Sequence, residues 1–229
     1  MWRCTWILGL LAACAAPPGP APLHQPSATL RACADAGGRV TSISRAVEVL
    51  NALPTPVDGP CFVAALPRPL KVVAANSVVS AQPASSRESP RLFLFLDGVV
   101  ATVVPEGDGA TVLEFSQWTS ATRSIKAGLP LPMASMVASD APYTHVRRGP
   151  IGTTCGLCHT AEQEESPGVY ASTAYRPHAR DEVPVSELRA RHEACGHDVD
   201  GGRAMFHAVF DFGEVQQGAF DTSLETFGP

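Results

Sequence analysis

Five consecutive residues, Cys155-Gly156-Leu157-Cys158-His159, place two thiols and an imidazole within one short stretch. Two cysteines three positions apart with a histidine immediately after them match the C-x-x-C-H pattern of covalent haem attachment. The spacing has a mechanical basis: the thiols add to two vinyl groups of one macrocycle, and the next side chain sets an imidazole under the iron. The same residues suit two other chemistries. With Cys195 and either His197 or His159, Cys155 and Cys158 make a Cys₃His set for tetrahedral zinc. Alternatively, Cys155 and Cys158 pair as a disulfide, redox-active or inert, although no strand-to-helix βαβ context of the thioredoxin kind surrounds them. Zinc leaves the position of His159 directly after Cys158 unexplained and needs an unusually tight Cys-x-His second half.

The redox compartment can be read from the first residues. Residues 1–13 carry one cation, Arg3, then an apolar run from Trp6 to Leu11 and two small residues before Cys14. That order is the order of a secretory signal, and the run is too short to span a bilayer. Leu11-Ala12-Ala13-Cys14 resembles a bacterial lipobox, which implies cleavage before Cys14 and acylation of its sulfur. Ala15, rather than Asp, follows the acylated cysteine, which by the same resemblance favours the outer membrane. Residues 14–30 are rich in proline and nearly uncharged, as suits a semi-extended tether on the periplasmic side of the membrane. In that oxidising space Cys33 and Cys61 are free to pair. Haem then leaves Cys195 alone, whereas zinc consumes Cys155, Cys158 and Cys195 together. The formal charge of −5, with its cations scattered, carries no nucleic-acid footprint.

The elements that must position this chemistry follow from periodicity and turn residues. Ile43, Val47 and Leu50 recur at helical spacing before Pro54 and Pro56, so 31–56 reads as a helical segment. From Cys61 onward the signal becomes β. Arg91–Leu96 and Val99–Val104 flank Asp97-Gly98, a hairpin of type I′, and Glu106–Gly109 turns the chain into a further strand at 110–115. Leu70–Ser80 and Ser120–Ala127 supply more strands. The unalternating run Leu92–Leu96 must be covered on both faces. The expectation is therefore an α+β protein: an antiparallel, β-sandwich-like body over 57–147, then a small, mainly helical region over 148–229 that carries the C-x-x-C-H motif. Two helices are expected there, Glu187–Cys195 capped by Ser186 and Gly202–Phe212.

Through the motif and its surroundings, with the last ~80 residues as the haem-bearing region, the chain resembles the c-type cytochromes. By that resemblance Cys155 and Cys158 carry the thioethers of haem c and His159 is the proximal ligand. No Gly-x-Met or Pro-x-Met follows the motif, so the sixth ligand stands open between Met205, His192 and an open position. Met205 also reads as a core filler and His192 as a half-buried structural histidine, while His178, His197 and His207 read as surface residues. The function implied is a lipid-anchored carrier or sensor of single electrons with an unidentified redox partner. Peroxidase-like enzyme activity would require an open sixth position.

Overall fold

The computed structural model of the chain describes residues 26–194 and 201–227, with the backbone alone for 201–203. The signal segment, Cys14, most of the tether, Cys195 and His197 lie outside the described residues. The fold is α+β, a large and mostly antiparallel sheet with helices packed on it. No helix among the described residues is long and apolar enough to cross a membrane.

Among the described residues, three short helices come first: α1 (Ala28–Asp35), α2 (Ile43–Ala52) and α3 (Gly59–Ala64). Each starts where a short polar side chain satisfies an otherwise unpaired backbone N–H. Ser27 accepts from Leu30, Ser42 from Arg45 and Asp58 from Cys61. The tether expected to reach residue 30 therefore gives way to helix at Ala28. The β signal expected from Cys61 is likewise overturned, because Asp58 caps α3 and Pro60 sits in its first turn, where a missing N–H costs nothing. Cys33 and Cys61 form a disulfide that ties α1 to α3.

Among the described residues, nine strands follow in a single sheet: β1 (Leu70–Ala75), β2 (Arg91–Phe95), β3 (Val99–Val103), β4 (Val112–Trp118), β5 (Arg123–Pro130), β6 (Gln163–Ser166), β7 (Val169–Thr173), β8 (Glu182–Val183) and β9 (Val215–Gln217). Their order is β6-β7-β5-β4-β3-β2-β1-β8, with β9 beside the start of β1 in the only parallel pairing among them. The expected meander is present: Leu94 pairs with Ala101, and Ala101 with Phe115. Its first turn is not of type I′, which requires positive φ at both central residues. Gly98 takes φ +82° and Asp97 does not enter that region.

The motif-bearing region differs from the small helical unit expected. Strands β6 and β7 extend the sheet beyond β5, β8 and β9 close its other edge, and α5 (Val185–Ala194) and α6 (Gly201–Phe210) join the helical layer. Helix α5 begins one residue before Ser186, and the Pro184 carbonyl accepts from both Glu187 and Leu188 N–H groups. A short helix, α4 (Ala141–Val146), lies against β5 on the opposite face, where a Cβ added to Gly128 would sit 3.3 Å from Val146. Alternation along the strands separates the two faces. Leu92, Leu94, Ala101, Leu113, Phe115 and Leu129 enter one dry core with α1, α2, α3, α5 and α6. The other face carries Arg91, Phe93, Thr102, Glu114, Ser116, Ser124 and Lys126, with Phe93 opposite Thr102, Thr102 opposite Glu114 and Ser116 opposite Lys126.

Candidate functional site

On this second face the sheet floors a cavity of about 510 Å³, within the ~300–1,000 Å³ span typical of small-ligand pockets. Phe93, Trp118, Tyr175, Phe220 and Phe227 give it aromatic walls, and Cys155, Cys158 and His159 all line it. The cavity exists because the strands keep polar and aromatic side chains on this side, and the segments after β1, α4 and β7 line it with residues from 76–81, 154–159 and 174–181.

The motif forms a tight turn. Cys155–Leu157 is one turn of 3-10 helix, and the Cys155 carbonyl accepts from both Cys158 and His159 N–H groups. A carboxylate fastens this turn from beneath: Glu162 accepts from the Thr153 amide at 2.9 Å and from the Thr153 hydroxyl. Glu162 also packs against Gly156 so closely that a Cβ there would lie 2.6 Å from Oε2. A side chain between the two cysteines would therefore displace the Glu162 carboxylate from the turn.

His159 is the most constrained member. Its Nδ1 lies 2.8 Å from the Thr173 carbonyl at the end of β7, and its ring stacks on Tyr175 with centroids 5.4 Å apart. Burial, reinforced by the nearby Lys126 charge, pushes its pKa down to about 3. The imidazole is therefore neutral at pH 7. A carbonyl only accepts, so the proton sits on Nδ1 and Nε2 keeps its lone pair, the state a metal-ligating histidine needs. Cys155 is a free, partly buried thiol, raised to about 11 by burial and the nearby Glu114 carboxylate. Cys158 is a free and exposed thiol. The Cys155–Cys158 disulfide allowed by the sequence is not formed.

The floor holds charges that the sequence reading did not single out. Arg91 pairs with Glu114 and donates to Thr102 Oγ1 at 3.0 Å. Lys126 is buried, donates to Ser124 Oγ at 2.8 Å, and is pushed down to about 8 chiefly by burial. The available signal was thin: Lys126 is one of only two lysines in the chain, and it alternates with apolar residues along β5.

Not every expected ligand reaches the cavity. Met205 is 1% exposed within the helical core, with its methyl group against Gly59. His192 is engaged on the helical side, Nε2 2.7 Å from Asp211. Neither lines the cavity with His159, so the structure does not bring the two expected sixth-ligand candidates to the motif. His178, read as a surface residue, does line it. His207 was read the same way and is buried instead. Among the described residues, Cys155, Cys158 and His159 do not converge their donor atoms as a cation site would. No protein-family model, curated protein or solved structure matches the chain.

Proposed function

We propose that the chain is an exported, lipid-anchored c-type haem protein that transfers or senses electrons on the periplasmic side of a bacterial outer membrane. The observation that carries this reading is that both motif thiols and a neutral His159 line one aromatic cavity. Cys155 and Cys158 would hold the macrocycle by thioethers and His159 would ligate its iron. When bound, the haem would supply a one-electron couple tuned by its burial in the cavity.

The remaining work belongs to the chain. The Thr173 carbonyl fixes the His159 tautomer and ring direction, and Tyr175 blocks rotation of the ring from its face. Glu162 pins the turn so that the two thiols keep their separation. Trp118, Phe93 and Phe227 limit water at the cavity wall. Cys14, outside the described residues, would anchor the whole by several acyl chains, enough for stable membrane attachment.

The test is expression of the full chain with haem-maturation factors, then haem staining on a denaturing gel. Wild type and Cys195→Ala should stain, whereas the Cys155→Ala/Cys158→Ala double variant should not. An unstained wild type, or a stained double variant, overturns the assignment. Cys14→Ser should move the protein from the detergent phase to the aqueous phase or block its processing, and a wild type already in the aqueous phase defeats the anchor.

A further inference from the structure

Across the sheet from the cavity, α5 and α6 bring together three side chains that the proposed haem chemistry does not use. His207 and Asp211 are four residues apart and so share one side of α6 and its C-terminal turn, with His207 Nδ1 2.6 Å from Asp211 Oδ2. From α5, His192 places Nε2 2.7 Å from the other carboxylate oxygen. The two imidazoles meet edge to face, with centroids 4.9 Å apart, and Phe210 stacks on His192. The side chains are only 8%, 9% and 11% exposed for His192, Asp211 and His207. One donor atom from each residue lies within 4.8 Å of the others.

We infer that His192, His207 and Asp211 form a metal site for a borderline divalent cation of the zinc class. Two imidazole nitrogens and one carboxylate oxygen are the donor types such a cation selects. Hard cations such as magnesium or calcium favour all-oxygen sets and are poorly served here. In the hydrogen-bonded state each imidazole turns an N–H toward Asp211. On binding, each neutral ring carries its proton on the other nitrogen and offers the lone pair instead, so the cation replaces the two bridging protons. Ligands about 2.0–2.2 Å from a tetrahedral centre stand roughly 3.3–3.6 Å apart, within about an ångström of the two His–Asp contacts of 2.7 and 2.6 Å. The bound cation would cross-link α5 to α6 behind the sheet.

The experiment uses the full chain made without haem-maturation factors, stripped with chelator and titrated with zinc by calorimetry. One zinc per chain is expected. Asp211→Asn should weaken binding at least ~100-fold, while the Cys155→Ala/Cys158→Ala variant binds as wild type does. Cobalt in place of zinc should give d–d bands that are the same in wild type and in the Cys155→Ala/Cys158→Ala variant. Absence of binding would show that the three residues are a hydrogen-bonded staple only. Binding that survives Asp211→Asn and vanishes in the cysteine variant, or a cobalt thiolate band lost in that variant, would place the metal elsewhere. If Asp211→Asn fails to fold, the comparison of the two cobalt spectra decides. None of these outcomes depends on whether the matured protein stains for haem.

Discussion

The two faces of the one sheet are built from the same strands, yet they do opposite things. On the helical face, Leu92, Leu94, Leu113, Phe115 and Leu129 meet Phe62, Leu50 and Met205 in a continuous dry core. On the other, the intervening positions carry Arg91, Glu114, Lys126 and three hydroxyl-bearing residues beneath a cavity. The first face supplies stability through apolar burial. The second spends some of it, since buried charges and a cavity both cost free energy. A period-2 pattern lets one sheet hold both, because a substitution on one face leaves the other side chains in place.

The largest expected contrast comes from truncating one phenyl ring on each face. Phe115 is 1% exposed and packs edge to face on Phe62 at 6.0 Å. Phe115→Ala should destabilise the fold by about 3–5 kcal/mol in chemical denaturation. Phe93 meets Phe220 at the cavity wall and is only partly buried. Phe93→Ala should cost less than about 1.5 kcal/mol, because its site is already open on one side. Equal losses at the two positions would erase the distinction between the faces.

Lys126→Met sharpens the contrast with the opposite sign. The lysine is pushed from 10.5 down to about 8 when folded, so between those values the unfolded chain binds a proton that the folded chain does not. Its contribution to stability therefore falls as pH drops from 10.5 to about 8 and stays low at neutral pH. Relative to wild type, the variant should be more stable by about 2–3 kcal/mol at pH 7, with the gain shrinking toward pH 10.5. A variant less stable than wild type at pH 7 would show that Lys126 is needed for packing. At the meander that supports both faces the effect is smaller. Gly98→Val, at φ +82°, should cost about 1–3 kcal/mol from backbone strain, measured as a lowered denaturation midpoint. No change there would mean the turn readily adopts another geometry.

Much of the meander was legible because Asp97-Gly98 and Glu106–Gly109 are local signals between apolar runs. The turn type was not, since Asp97 keeps negative φ beside a single left-handed glycine. Helix α3 escaped notice because its β-branched and aromatic residues outweighed the Asp58-Gly59-Pro60 start signal. For the candidate site, the motif residues and the Cys33–Cys61 pairing were readable, but the partners that orient them were not. Glu162, Thr173 and Tyr175 carry no pattern of their own, and their roles follow from where β6 and β7 return to the sheet.

By itself, the sequence determined the chemistry that depends on near neighbours: the C-x-x-C-H spacing, the helix caps, the glycine turns and the apolar periodicities. Tertiary structure alone decided which edges β6 to β9 would cover, that Lys126 would face a cavity, and that His192 would meet His207 and Asp211. The physical reason is range. Turns and caps are settled by interactions over a few residues. The C-terminal strands instead find partners such as β5 and β1 tens of residues away, where unpaired sheet edges and uncovered apolar surface set the outcome.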